Sequence, residues 1–261
     1  MLWHERSWPL IESASKDLPV VIPLGACEQH GRHLPVIVDT LQVSTIAEKV
    51  DQRMGERILT TPTLWLGSSH HHLDFPGTIS LRPSLYSEII KELARSVMAA
   101  GFTRIFFLNG HGGNEIPATA GLTDLIATDD KADSCYLTFG SWWTVGKAAL
   151  EPKRHGMTTP GISHACEYET SMLLFLRPDL VRIGEAKPHT PVLSSEWHSS
   201  EYGRRVSMFR RFHRLTASGS MGDPTKATAE KGESMLNAVV EDVVKFLTEF
   251  ATWPALPSLR K

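Results

Sequence analysis

Cysteine is scarce in this sequence: Cys27, Cys135 and Cys166 are the three in a chain of 261 residues. An odd count without paired spacing provides neither a disulfide framework nor the ligands of a zinc ribbon, and it fits a reducing compartment. Each cysteine lies beside an apolar or chemically active stretch. A small buried side chain is therefore at least as good an interpretation as a reactive thiol.

The chain also lacks an excess of either charge and any long apolar run. Its formal net charge of -2 provides no basic field that would attract a nucleic-acid backbone. The apolar runs fall short of the roughly 20 residues that span a bilayer, and the first 17 residues lack the pattern of a secretory signal. We expect a cytoplasmic protein that binds neither nucleic acid nor membrane.

What the sequence does contain is an alternation of strand-like and helix-like segments. The strand candidates are "PVVIPL", "RIFFLNG" and "CYLTFG", and segments with apolar residues at helical spacing separate them. Apolar runs of this kind are typical of strands covered on both faces. The pattern predicts an α/β fold with a mainly parallel sheet between helical layers. No linker or repeat divides the chain, so residues 1–261 are expected to form a single domain.

Two helical segments carry apolar residues at steps of four, which predict their buried faces: Leu85, Ile89, Leu93 and Val97 in one, and Met235, Val239, Val243 and Leu247 in the C-terminal one. Residues 182–227 differ, because they are rich in Ser, His, Pro and Arg and have no sustained period. A long irregular excursion near an active site or an oligomer contact is predicted there.

Polar side chains follow the strand-like runs. Glu28 and His30 come after the first run, His111 comes after "RIFFLNG", and "SHACEYE" follows a later irregular connection. The carboxyl ends of parallel strands open onto one crevice, so these groups can converge, and Asp39 can return to the same place after a loop. Carboxylate oxygens together with imidazole nitrogens suit zinc, manganese or another first-row divalent ion.

Five motifs identify a resemblance that covers most of the chain. "PLGACEQHGRHLPVIVDT", "HHHLDFPGTISL", "FFLNGHGGN", "HACEYETS" and "GDPTKATAEKGE" occur in the same order as in the creatininase family of metal-dependent amidohydrolases. The resemblance implies a three-layer α/β/α fold with a binuclear metal centre at the carboxyl ends of the strands. It also implies a homo-oligomer, with a hexamer as the expected form.

The resemblance also implies a ligand set for two divalent ions per chain, zinc or manganese, with ferrous iron as a further option. Glu28, His30, Asp39 and His111 match metal-binding positions, with Asp39 as the bridge. Creatininase itself has a glutamate two residues after the matching histidine, where this sequence has Gly113. Other members carry the acid in a motif like "HACEYETS", which makes Glu167 the fifth candidate, with Glu115 as the fallback. The glycine at this position argues against creatinine as the substrate.

His164 and Glu167 are the catalytic candidates by the same resemblance. Two ions would lower the pKa of a bridging water towards neutrality and polarise the carbonyl it attacks. His164 would then move a proton to the leaving group, or alternatively only orient Glu167. His71 and Trp143 are expected to contact the substrate.

The predicted activity is hydrolysis of a small-molecule carbonyl compound, with the C–N bond of an amide or cyclic amide as the leading choice. The resemblance also permits a hydrolase that opens a diketo-inositol ring by carbon–carbon cleavage, a mycofactocin-precursor peptidase, and a formamide deformylase of flavin-like biosynthesis. The opposing class is a non-catalytic metal-binding scaffold, since a fold alone does not establish function.

Overall fold

A computed structural model describes residues 1–189, 193, 195, 197, 206–255, 257 and 259. Its four strands, Val20–Leu24 (β1), Leu59–Thr60 (β2), Arg104–Asn109 (β3) and Tyr136–Ser141 (β4), form one sheet in the order β2-β1-β3-β4. All three pairings are parallel; Val20 is opposite Ile105, and Ile105 is opposite Leu137. The predicted parallel sheet is confirmed.

The helices of the described part of the chain are Trp8–Ser13 (α1), Val38–Met54 (α2), Pro83–Ala99 (α3), Glu115–Thr128 (α4), Asp130–Asp133 (α5), Trp142–Val145 (α6), Glu167–Leu176 (α7) and Ala229–Phe250 (α8). None of the described helices is long and apolar enough to cross a membrane.

The sheet lies between two helical layers because its strands are apolar on both faces. Successive side chains of a strand point to opposite faces. Phe106 of β3 accordingly joins a core with residues of α2, α7 and α8, while Ile105 and Phe107 join a second core with residues of α1, α3 and α4. This arrangement confirms the three-layer α/β/α prediction.

The structure confirms the buried face predicted for α8 but corrects most of the face predicted for α3. In α8, Met235, Val239, Val243 and Leu247 are all fully buried, as predicted. In α3 Val97 is buried as predicted, but the rest of the predicted stripe is displaced by one residue, because Tyr86, Ile90 and Ala94 are buried, whereas Leu85 is 43% exposed. Lys91 and Met98 are buried as well. A step of four rotates by about 400°, slightly more than one turn, so two adjacent rows of apolar residues cross the same face of the helix. The row that begins with the large Tyr86 side chain is the one that packs inward.

A glycine allows β3 to end close to α2. An added Cβ at Gly110 would lie 2.7 Å from the Cβ of Val43 and 3.0 Å from the carbonyl oxygen of Asp39. The backbone amide of Gly110 also donates to the carbonyl of Leu24 in the neighbouring strand. The carboxyl ends of β1 and β3 and the start of α2 therefore meet at one point.

The predicted excursion is irregular where it is described. It contains three-residue helical turns at Ile183–Glu185, Phe212–Arg214 and Pro224–Lys226. Residues 190–192, 194, 196 and 198–205 lie outside the described residues.

The displaced face of α3 can be tested by a matched pair of substitutions. Ile90→Ala removes a fully buried side chain and should lower the free energy of unfolding by about 2–5 kcal/mol, because it leaves a cavity. Leu85→Ala removes a partly exposed side chain and should cost less than about 1 kcal/mol. Urea denaturation of both variants measures the difference, and equal losses would contradict the observed face.

Candidate metal centre

A cluster of buried carboxylates and imidazoles lies at the carboxyl ends of β1 and β3. Glu28 and His30 follow β1, Asp39 is in the first turn of α2, His111 follows β3, and Glu169 is in the first turn of α7. All five side chains are buried. The residues come from separate parts of the sequence, and the parallel topology brings them to one edge of the sheet.

Asp39 lies at the centre of this cluster. Its Oδ1 is 3.0 Å from Nε2 of His30, and its Oδ2 is 3.0 Å from Nδ1 of His111. On the His111 side, Oε1 of Glu28 lies 3.3 Å from the same Nδ1. On the His30 side, Oε1 of Glu169 lies 3.9 Å from Nε2. The cluster therefore has two halves that share one carboxylate.

The ligand atoms of the cluster are of the kinds that divalent ions bind. Glu28 Oε2, His30 Nε2 and Asp39 Oδ2 are buried, and their geometry allows no hydrogen bond to a described residue, although the last two lie 3.0 Å from ion-pair partners. Ligand atoms of His30, Asp39 and Glu169 lie within 4.8 Å of one another. Buried ligand atoms this close together, with Glu28 Oε2 left without a described partner, are an arrangement that a cation can complete.

The electrostatics of the cluster also favour added positive charge. Burial alone would lower the pKa of His30, but the Asp39 carboxylate raises it to about 10. Burial raises the pKa of Glu169 to about 7, with Asp39 and Glu28 adding to the effect. Three buried carboxylates are costly unless cations compensate them, and either imidazolium groups or metal ions can do so.

Glu167 does not lie in this cluster, and this corrects the placement expected from the sequence. Its buried carboxylate accepts hydrogen bonds from Thr158 and Thr159 and is 2.7 Å from Nζ of Lys231. Glu167 is the first residue of α7, and a position two residues further along a helix is rotated by about 200°. Glu169 therefore faces the cluster, while Glu167 points away from it.

Glu169 is not among the residues predicted from the sequence, because the motif alone does not show where α7 starts. A glutamate in the third position of a helix characteristically reaches back to the backbone amides that precede the helix. Glu169 does so here, accepting a hydrogen bond from the amide of Ala165. The spacing from Cys166, the residue before the helix, was the signal that could have indicated it.

His164 lies beside both halves of the cluster. Its Nε2 is 2.7 Å from the carbonyl oxygen of Gln29, to which it can donate, and 3.1 Å from the side-chain amide nitrogen of the same residue. Its Nδ1 lies 3.6 Å from Oε1 of Glu28. Burial and the neighbouring His30 hold the pKa of His164 well below its usual value, so the ring is neutral.

Two further residues were not predicted. His72 is buried with Nε2 3.4 Å from Oε1 of Glu28, and its Nδ1 lies 2.8 Å from the side-chain amide nitrogen of Gln29. Gln29 lies between the two metal-ligand candidates of "EQH", and its role was hidden because an amide is a weak sequence signal. Phe212 packs over this layer, with its ring centroid 4.0 Å from that of His72.

The cluster opens into a cavity of about 860 Å³. His71, Trp143 and Glu115 line this cavity, and so do Ile116 and Phe212. Ligand atoms of His71, Glu28 and His111 lie within 4.8 Å of one another. Glu115, the fallback ligand, accepts a hydrogen bond from the hydroxyl of Ser141 and belongs to none of the ligand groups found among the described residues.

Gly113 shows why the glutamate of creatininase has no counterpart at this position. An added Cβ would lie 2.2 Å from the carbonyl oxygen of Ser68, 2.4 Å from Nε2 of His111 and 2.8 Å from Cε1 of His71. The backbone here leaves no room for a side chain. The carboxylate of Glu169 reaches the cluster from a different element.

Fold and site together define a hydrolase of the metal-binding α/β class. The chain belongs to the creatininase family, whose model, described as creatinine amidohydrolase, matches residues 4–247. The resemblance found in the sequence is confirmed, and the protein is a creatininase-family hydrolase with candidate metal-ligand groups.

Three sequence relatives cover most of the chain. A mycofactocin precursor peptide peptidase of Mycobacterium ulcerans is 31% identical, over 93% of this chain and 91% of the relative. A creatinine amidohydrolase of Pseudomonas putida is 26% identical, over 94% and 95%. A 3-dehydro-scyllo-inosose hydrolase of Thermotoga maritima is 25% identical, over 88% and 76%.

Solved structures similar to this chain include creatininases in different ligand-bound and metal-bound forms. A mutant creatininase complexed with creatine has a TM-score of 0.81 and 26% identity, covering 97% of this chain and 99% of that one. A mutant in a zinc–zinc form has a TM-score of 0.80 and 26% identity, covering 95% and 97%. A manganese form has a TM-score of 0.79 and 25% identity, covering 95% and 97%.

The three cysteines are expected to be unreactive in the folded protein. All are buried, and burial raises the pKa of Cys166 to about 11, so the thiol stays protonated below that pH. A thiol reagent at pH 8 should label none of them until urea unfolds the chain, when all three should react. Rapid labelling of Cys166 in the folded protein would instead support a thiol nucleophile.

Proposed function

We propose that this protein hydrolyses the C–N bond of an amide with two divalent ions held by the buried cluster. The observation that carries the proposal is the Asp39 carboxylate, whose two oxygens face imidazoles on opposite sides at 3.0 Å each. One carboxylate shared between two ligand groups is the arrangement expected of a binuclear site.

The chain offers a ligand set for each ion. Glu28, Asp39 and His111 would hold one, and His30, Asp39 and Glu169 would hold the other. Zinc and manganese are the proposed metals, since oxygen and imidazole ligands suit both and similar creatininase structures include both forms. When bound, such ions lower the pKa of coordinated water and polarise a substrate carbonyl.

His164 is the proposed proton carrier. In the tautomer that donates Nε2–H to the Gln29 carbonyl, Nδ1 is the atom that can accept a proton and return it to the leaving nitrogen. The lowered pKa of His164 keeps that lone pair free at neutral pH. Its ring centroid lies 4.7 Å from that of Phe212, and this packing limits its movement.

The cavity supports a substrate larger than creatinine. A volume of about 860 Å³ lies in the upper part of the range found for ligands of drug size. His71 and Trp143 are the proposed substrate contacts, because both line this cavity. A peptide amide is the second candidate, favoured by the cavity volume. Carbon–carbon cleavage and a non-catalytic scaffold are not favoured over amide hydrolysis.

We also propose a homo-oligomer, with a hexamer as the expected form, and a cytoplasmic location. The oligomer rests on membership of the family. Three unpaired cysteines are consistent with a reducing compartment.

Metal analysis and turnover test the proposal together. Untagged protein purified without chelator should contain about two divalent ions per chain by mass spectrometry, as a binuclear site requires. Asp39→Ala should lose both ions and all hydrolysis of a panel of cyclic and peptide amides. His164→Gln should keep both ions, and its kcat should fall by about 10²–10⁴-fold, as expected for loss of a general acid–base group.

Glu115→Gln is the matched control, because this carboxylate lines the same cavity but lies outside the ligand groups. It should retain both ions. Full metal occupancy in Asp39→Ala would contradict the proposed site.

A further inference from the structure

A second buried carboxylate, that of Glu167, is held away from the cluster by a dense set of donors. Its Oε2 accepts from the backbone amides of Thr158 at 3.0 Å and Thr159 at 2.9 Å, and from both threonine hydroxyls at 2.9 Å. Its Oε1 lies 2.7 Å from Nζ of Lys231. The side chain of Glu167 is 0% exposed, and so many charge-assisted hydrogen bonds fix it firmly.

These contacts close a loop. The two ends of the loop formed by residues 158–167 meet at the Glu167 carboxylate. Lys231, in the first turn of α8, contacts the same carboxylate and so connects α8 to the base of the loop. At the far side, the hydroxyl of Ser163 donates to the carbonyl of Met221, and the amide of Met221 donates to the carbonyl of His164. The loop is anchored at its base by Glu167 and along its length by the segment around Met221.

The same loop contains a strained residue. Ala165 has a φ of +50°, and it is the one non-glycine residue with positive φ among the described residues. This conformation is unfavourable for a residue with a Cβ and persists only where the surroundings enforce it. In this conformation the amide of Ala165 donates to the Glu169 carboxylate, and His164 next to it faces Glu28.

We propose that Glu167 is a positioning residue that holds the 158–167 loop closed, keeps Ala165 in its left-handed conformation, and so aims His164 and Glu169 into the metal cluster. Glu167 acts through the backbone and touches neither the cluster nor the proposed substrate cavity. The proposal rests on the proposed function for its catalytic consequences, while closure of the loop is independent of it.

The test compares Glu167→Gln with the wild-type holoenzyme. The amide has one acceptor oxygen for two sets of donors, so its NH2 group must face either the threonine donors on Oε2 or Nζ of Lys231, and the ion pair is lost. The loop should therefore open. Zinc binding, titrated against a chromophoric chelator at 20 °C on protein shown to be folded by circular dichroism, should weaken about tenfold for one ion, the size found when supporting contacts of metal ligands are lost. The kcat for the best amide should fall by a similar factor, with little change in KM.

Lys91→Met is the matched control. Lys91 is largely buried in the opposite helical layer, 2.6 Å from Asp124 and 2.8 Å from Glu88. It should lower the thermal midpoint without changing zinc affinity or kcat. If Glu167→Gln does the same, the residue is merely structural and the proposal is overturned. If Glu167→Gln does not fold, Lys231→Met removes one donor and should give a smaller change in the same direction.

Hydrogen–deuterium exchange of metal-free protein separates this proposal from the proposed function. In Glu167→Gln, the amides of Thr158, Thr159 and Ala165 should exchange at least tenfold faster than in wild type, whereas those of β3 should not change. This result would support the closed loop even if the wild-type protein bound no metal. Unchanged exchange at these three amides would refute the loop closure, whatever the metal content.

Discussion

The rest of the structure depends on one buried carboxylate, that of Asp39, which contacts imidazoles on both sides. A buried charge of this kind is tolerated only where opposite charge meets it at close range. His30 and His111 both provide this contact at 3.0 Å. This requirement sets where α2 begins, where the loop after β1 turns, and how closely β3 approaches α2 at Gly110. The fold serves to bring these three backbone segments to one point.

The positions of Glu28, Glu169 and His164 around Asp39 follow from the same constraint. Asp39 occupies the middle of the cluster, so Glu28 and Glu169 compensate the imidazoles from either end. Glu169 reaches the His30 side of the cluster because it is the third residue of α7, which starts at Glu167, and this position faces the cluster. His164 enters from the loop before α7, and its orientation is fixed by the Gln29 carbonyl between the two ligands of the first motif. Gly113 leaves no space for the acid that creatininase has at that position, so the acidic group comes from α7.

Much of this arrangement could be predicted from the sequence, because strands covered on both faces read as continuous apolar runs and chemically active residues follow them directly. The sequence predicts that Glu28, His30 and His111 follow strands and that Asp39 returns to them after a loop, the family resemblance marks all four as metal-binding positions, and the structure brings them together. Glu167 was misplaced because a motif gives residue types but not the phase of the helix that carries them. The face of α3 was displaced for a related reason, since two neighbouring apolar rows satisfy the same spacing. His72 and Gln29 depend on tertiary contacts that no local pattern contains.

Anomalous diffraction from crystals of the zinc-loaded protein tests the central claim most directly. We expect two peaks on either side of the Asp39 carboxylate, one bounded by Glu28 and His111 and the other by His30 and Glu169. A single peak, or a peak against the carboxylate of Glu167, would contradict a binuclear centre bridged by Asp39.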